Sequence, residues 1–239
     1  MTLAIFDLDN TLLAGDSDYL WGQFLVDQGI VDRDQYEAAN AHFYEQYKAG
    51  QLDIAEFLTF ALKPLSEHDP QQLYRWRSTF VQTRIEPILL PAARSLIDLH
   101  RRAGDTLMII TATNRFVTEP IAELYGIEHL IATTPESIDG RYTGRFEGTP
   151  CFQAGKVTRL DQWLEEQDRD LQGSWFYSDS HNDLPLLERV THPVAVDPDD
   201  TLARAAEARG WPIISLRDGD CPAHHAQRVA ERDQPFRIK

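Results

Sequence analysis

Three short polar stretches and one lysine carry the residue types that move a phosphoryl group. Asp7-Leu-Asp-Asn-Thr11 sets two carboxylates two positions apart, with Leu8 between them pointing the other way. Ile109-Ile-Thr111 ends an apolar run on a hydroxyl. Lys156 stands at the start of a helical stretch, and Ser178-Asp-Ser-His-Asn-Asp183 adds two carboxylates and an amide. Asp7, Asp9 and Asp179 gathered in one place would repel one another. A hard divalent cation with oxygen ligands relieves that repulsion, and Mg2+ is the common choice where phosphate is the co-ligand. Lys156 adds positive charge for phosphoryl oxygens and Thr111 a hydroxyl donor. Within the first pair, one carboxylate must be ionised to attack and the other must carry a proton for the leaving alkoxide and later take one from water. Unequal metal contact can push such neighbours to different pKa values, which assigns Asp7 as the metal-bound nucleophile and Asp9 as the acid/base.

These residues serve one reaction only if the fold brings them together. Leu3-Ala-Ile-Phe6 reads as a buried strand that stops at Asp7, and Leu107-Met-Ile-Ile110 as another that stops at Thr111. Trp175-Phe-Tyr177 reads as a third, before the Ser178 stretch. Helical patterns at 92–102, 116–125, 156–167, 184–190 and 200–208 alternate with strands at 127–132, 193–196 and 211–216, and 140–146 looks like a hairpin arm. Pro120 is expected to shorten its helix. The alternation predicts an α/β fold, a doubly wound and mostly parallel Rossmann-like sheet, with the polar groups in the crevice beyond the strand ends. Between Gly15 and Leu89 the pattern is helical throughout. Leu20/Phe24 and Trp21/Leu25 mark one helix, Tyr36, Phe43 and Tyr47 a second, and Asp53 and Asp69 stand as N-caps of a third and fourth. The expected organisation is a core of residues 1–14 and 90–216, an inserted helical bundle of residues 15–89, and a polar, loosely ordered tail from 217 to 239.

The 239 residues carry a formal net charge of −15, which argues against nucleic acid or an anionic membrane as partner. An acidic protein acting on a phosphate would need local positive charge, which the metal and Lys156 would provide. Cys151 and Cys221 lie far apart and form neither a disulfide framework nor a CxxC site; two reduced thiols and the lack of a signal peptide or a long apolar run predict a cytoplasmic protein.

At the four motifs the sequence resembles the haloacid-dehalogenase superfamily of phosphatases. Asp7-Leu-Asp-Asn-Thr11 matches the first motif, Ile109-Ile-Thr111 the second, Lys156 the third and Ser178-Asp-Ser-His-Asn-Asp183 the fourth. The resemblance reaches to about Leu216, and the helical insertion looks like the cap of the phosphoserine-phosphatase-like branch. It implies an aspartyl-phosphate on Asp7, with Asp9 giving its main-chain carbonyl to Mg2+ and its carboxylate to acid/base work. It also implies Asp179 as a metal ligand, Asn182 as a phosphate contact, and Thr11 and Asp183 in support. The substrate class implied is a small phosphate monoester. Two features depart from the branch: Ser178 and Ser180 stand at the customary glycines, and Asp16 replaces the usual cap glutamate. No arginine is placed to hold a substrate carboxylate, with Lys63, Arg75 and Arg77 only candidates. The stretch Leu12-Leu-Ala-Gly-Asp-Ser-Asp18 with Trp21 looks closer to bacterial histidinol-phosphatases. An acidic, aromatic wall of Asp16, Asp18, Trp21, Phe43 and Tyr47 suits a cationic, flat leaving group. The competing readings are that Asp16 and Asp18 cap a helix and that the aromatics are core. Phosphoserine is the alternative substrate. Transfer to a second alcohol, or a non-catalytic binding module, are the alternative functions, the last disfavoured because no motif residue is lost.

Overall fold

The computed structural model describes residues 2–219 and 221–231. Strand β1 (Leu3–Phe6) buries all four side chains. The chain then leaves the sheet for α1 (Ser17–Asp27), α2 (Arg33–Lys48), α3 (Ile54–Glu67) and α4 (Pro70–Phe80). Each of the four starts on an aspartate whose carboxylate accepts a main-chain N–H of the first turn: Asp16, Asp32, Asp53 and Asp69. The return runs through a π-helical turn (Val81–Ile85) and a 3-10 turn (Glu86–Ile88). The outgoing and returning segments pair at Leu13 and Leu89.

From there strands and helices alternate: α5 (Pro91–Arg102), β2 (Thr106–Asn114), α6 (Arg115–Tyr125), β3 (His129–Ile138), β4 (Arg141–Glu147), α7 (Ala154–Glu166), β5 (Trp175–Ser178), α8 (Leu184–Leu187), β6 (His192–Val196), α9 (Asp200–Arg209), β7 (Ile213–Ile214) and α10 (Ala223–Glu231). The sheet order is β4-β3-β2-β1-β5-β6-β7, parallel except for the β3/β4 hairpin. Leu3 and Ile5 join Met108, Ile110 and Phe176 in one apolar layer, while Ala4 and Phe6 join Ile109 and Tyr177 in the other. Alternation on a strand covered on both faces requires this division. Strand order reverses at β1, where β2 lies on one side and β5 on the other, and a doubly wound sheet opens its ligand crevice at that point. In register, Phe6 stands level with Ile109 and Tyr177, so Asp7, Thr111 and Asp179 emerge together at one end.

The structure departs from the sequence expectations at five elements. Strand β3 is longer than expected and runs into the hairpin, whereas β7 and α8 are shorter. Pro120 does not shorten α6. Proline has no N–H for the carbonyl four residues back, and Arg77 Nη1 donates to that carbonyl of Phe116 instead, at 2.9 Å. The tail is not loose throughout: α10 buries His225 and Val229 against the core. There His225 Nε2 lies 3.0 Å from the Tyr177 hydroxyl, which also meets His100 Nε2 at 2.7 Å. The expectation for Asp220 and for 232–239 lies outside the described residues.

Candidate active site

The four motifs converge at the ends of β1, β2 and β5. Asp7 is fixed by its own N–H, which donates to the Tyr177 carbonyl at 2.9 Å. Its Oδ1 accepts from Lys156 Nζ at 2.7 Å, and the same ammonium donates to Asp183 Oδ2 at 2.8 Å. Lys156 reaches this point because α7 starts tightly against the preceding loop. A Cβ on Gly155 would sit 2.0 Å from the Pro150 carbonyl, so only glycine fits there. Burial works against the lysine's charge, yet Asp183 and Asp7 hold its pKa above the ordinary value. Burial is the main cause that pushes Asp7 up to about 7, with Lys156 opposing it.

The two serines that replace glycines in the fourth motif both have partners. Ser178 Oγ donates to Asp183 Oδ2 at 2.7 Å. Ser180 Oγ accepts from the Tyr47 hydroxyl of α2 at 3.1 Å, tying the helical segment to the sheet. Thr11 Oγ1 donates to Asp179 Oδ1 at 3.1 Å and accepts the Asp179 N–H at 3.0 Å. Asp179 is raised well above the usual carboxylate range by burial and then by Asp7 and Asp183. Asn182 Oδ1 accepts from Gln153 Nε2 at 2.8 Å. Thr111 Oγ1 accepts the Thr113 N–H at 3.2 Å, which leaves its own hydroxyl proton to donate elsewhere.

Asp9 differs from Asp7. Its Oδ1 accepts the Ser17 N–H at 2.6 Å and its Oδ2 accepts from Thr113 Oγ1 at 2.7 Å. Burial, then Asp16, raise it to about 6. Sequence reasoning passed over Ser17 and Thr113. Thr113 was within reach, because it lies two residues beyond Thr111 on the same strand, whereas the Ser17 contact comes from the main chain and has no residue-type signature.

A cleft of about 840 Å³, including its open mouth, joins Asp7, Thr111, Lys156 and Asn182 to a helical wall of Asp16, Asp18, Asn40, Phe43, Tyr44 and Tyr47. Asp16 therefore both caps α1 and faces the cleft. Asp18 accepts from Asn114 Nδ2 at 3.3 Å. Burial and Asp18 raise Asp16 to about 6; burial and Asp9 raise Asp18 to about 7. Trp21, expected on this wall, is core instead. It stacks on Phe24 at 5.6 Å and meets Phe80 and Phe116 edge-on at 5.2 and 5.7 Å, and this apolar contact holds α1 against α4 and α6. Lys63, Arg75 and Arg77 do not line the cleft either: Lys63 pairs with Glu67, and Arg77 with Phe116 and Glu119.

Residues 4–188 match the haloacid dehalogenase-like hydrolases. The chain belongs to this family. A histidinol-phosphatase from Neisseria meningitidis serogroup C (strain 8013) is 46% identical over 219 residues, which is 90% of this chain and 99% of the relative. A solved structure of a protein of unknown function from Bordetella pertussis Tohama I is also 46% identical and superposes with a TM-score of 0.85 over 90% of this chain and all 100% of the other. A substrate-bound phosphoserine phosphatase superposes with a TM-score of 0.65 at 16% identity, over 92% of this chain and 94% of that one, a likeness of fold. The resemblance read from the four motifs is borne out, as is the fold class. This family member is an enzyme, a phosphoric monoester hydrolase.

Proposed function

We propose that this hydrolase acts on histidinol phosphate, with Mg2+ bound and through an aspartyl-phosphate on Asp7. The observation that carries the choice of substrate is the charge of the cleft. Lys156 is the one lysine or arginine among its described lining residues, and it is engaged by Asp7 and Asp183. A substrate carboxylate, as in phosphoserine, finds no basic partner there. A substrate amine finds Asp16 and Asp18, and a flat ring finds Phe43, Tyr44 and Tyr47. The 46% identity to a histidinol-phosphatase supports the same reading. In this reading residues 15–89 act as a cap over a core of residues 1–14 and 90–216. The setting is cytoplasmic, in keeping with two cysteines that form no disulfide; no helix among the described residues is long and apolar enough to cross a membrane.

The donor set fits magnesium in a particular way. Among the described residues no three His, Cys, Asp or Glu side chains are grouped so as to hold a metal. Both carboxylate oxygens of Asp9 are already engaged. The ligands would be the Asp7 and Asp179 carboxylates and the Asp9 main-chain carbonyl, with phosphate and water completing the set, which is how Mg2+ is usually bound. Bound there, the ion would offset the mutual repulsion of Asp7 and Asp179 and neutralise charge on the phosphoryl oxygens.

The chain's own groups then divide the work. Asp7 Oδ attacks phosphorus. Lys156, Thr111 and Asn182 hold the phosphoryl oxygens, Lys156 while keeping Asp7 oriented. Asp9 gives its proton to the leaving oxygen and later takes one from the water that attacks the phosphoaspartate. Tyr47 bonded to Ser180 keeps the helical wall against the sheet wall and limits bulk water. The test is a phosphate-release screen with Mg2+ across amino-alcohol, amino-acid, sugar and nucleotide monophosphates. Histidinol phosphate should give the highest kcat/KM, chelation should abolish turnover, and added Mg2+ should restore it. A preference for sugar phosphates would overturn the leaving-group assignment, and full activity after exhaustive chelation would overturn the metal.

A further inference from the structure

We infer that Thr113 is a positioning residue that fixes the transferable proton of Asp9 on Oδ2; the inference rests on the assignment of Asp9 as acid/base. The two oxygens of Asp9 have chemically different partners. Oδ1 receives the main-chain N–H of Ser17 at 2.6 Å, at the start of α1. Oδ2 receives the Thr113 hydroxyl at 2.7 Å. A main-chain N–H can only donate, so a proton placed on Oδ1 would face another donor and forfeit that hydrogen bond. A hydroxyl works in both directions: it donates to a carboxylate and accepts from a carboxylic acid. Asp9 can therefore gain or lose a proton at Oδ2 and keep both of its own hydrogen bonds, and losing one at a buried carboxyl is costly.

Thr113 is buried at the end of β2 and also lines the cleft, so Oδ2 lies beside the space the leaving group must occupy. Its N–H donates to Thr111 Oγ1 at 3.2 Å, which joins the acid/base and the phosphate-binding hydroxyl at one strand end. In the first half-reaction the Asp7–phosphorus bond forms and the bond from phosphorus to the leaving oxygen breaks. The proton resting between Oδ2 and Thr113 passes to that oxygen, and Asp9 is left as a carboxylate accepting from Thr113. In the second, water gives a proton to Oδ2 while its oxygen attacks phosphorus and releases Asp7.

The proposal predicts a loss that depends on how much the leaving group needs a proton. First-turnover release of phenol from phenyl phosphate and of 4-nitrophenol from 4-nitrophenyl phosphate are compared in wild type, Thr113→Val, Thr113→Ser and Asp9→Asn. Thr113→Val should slow phenol release about 10-fold more than 4-nitrophenol release, and Thr113→Ser should restore the wild-type ratio. Thr113→Ala makes the same comparison should the valine not pack. Equal slowing of both esters, no slowing of either, or a serine variant that behaves as valine does would overturn the inference. Asp9→Asn separates the two levels. If it slows phenol release selectively and Thr113→Val does not, only the role of Thr113 fails; if Asp9→Asn shows no selectivity, the acid/base assignment itself fails.

Discussion

The two walls of the cleft differ in charge, because among the described lining residues only the sheet wall holds a lysine or arginine. On the sheet wall Lys156 lies between Asp7 and Asp183 and Ser178 supports Asp183, while Thr11 holds Asp179 and Ser17 and Thr113 hold Asp9. On the helical wall, Asp16 and Asp18 accept hydrogen bonds from a main-chain amide and from Asn114, and among the described residues neither has an ion-pair partner. A half-buried anion held only by neutral donors keeps part of its desolvation cost, and both carboxyls sit above their usual pKa. In the proposed reading the sheet wall serves a reaction common to any phosphate monoester, and the helical wall leaves a charge for the ligand to satisfy.

Breaking the sheet wall should cost the most. Asp7→Asn removes the proposed nucleophile while retaining its shape and one acceptor for Lys156, so kcat should fall by at least ~10³-fold for every ester with little change in far-UV circular dichroism. Near-normal turnover in that protein would remove Asp7 from the chemistry.

Changing the helical wall should give a smaller and selective effect. Asp18→Asn should raise KM for histidinol phosphate by about 10-fold and leave 4-nitrophenyl phosphate unchanged, because only the former brings a cation to this wall. Equal changes for the two esters would dissolve the distinction between the walls. The same substitution carries a stability signature. The folded-state pKa of Asp18 is raised to about 7 from 3.8. Its favourable share of stability is thus present below about pH 4 and lost as pH rises through 7. Asparagine cannot ionise, so the ligand-free variant should be more stable than wild type at pH 8, by about 1–2 kcal/mol, in urea denaturation.

The walls also differed in how far they could be read from sequence. The sheet wall was legible because Asp7, Thr111 and Asp179 stand where apolar strands end, and parallel register brings strand ends together. The helical wall was legible in type but not in facing. Asp16 and Trp21 are five residues apart around α1, and helical spacing says they differ in direction without saying which one meets the cleft. The large ring went to the contact with Phe80 and Phe116, where more apolar area could be covered. The Ser17 contact to Asp9 is made by main chain, and composition does not encode it. The helix beyond Arg217 was missed because its burial rests on two residues, His225 and Val229, in an otherwise polar stretch.

That helix supplies the smallest effect and a contrast of sign. His225 is buried edge-on to Trp175 and Tyr177, at ring separations of 5.6 and 5.5 Å, and lies 3.0 Å from the Tyr177 hydroxyl. Burial, then the nearby His100, Arg228 and His224, lower its pKa from 6.5 to about 4. The neutral ring is the folded form, so its share of stability is complete above about pH 6.5 and drains away as pH falls towards 4. Asp18 moves the other way over part of that range, and the two can be separated by substitution. Replacing His225 with glutamine keeps a hydrogen-bonding side chain and removes the titration. Between pH 7 and pH 5, wild type should lose about 1–2 kcal/mol relative to His225→Gln. Parallel pH dependence in the two proteins, measured by thermal melts in the same buffers, would place any acid sensitivity elsewhere. A difference that persists when Asp18→Asn is added would show that the site and the C-terminal helix respond to pH independently.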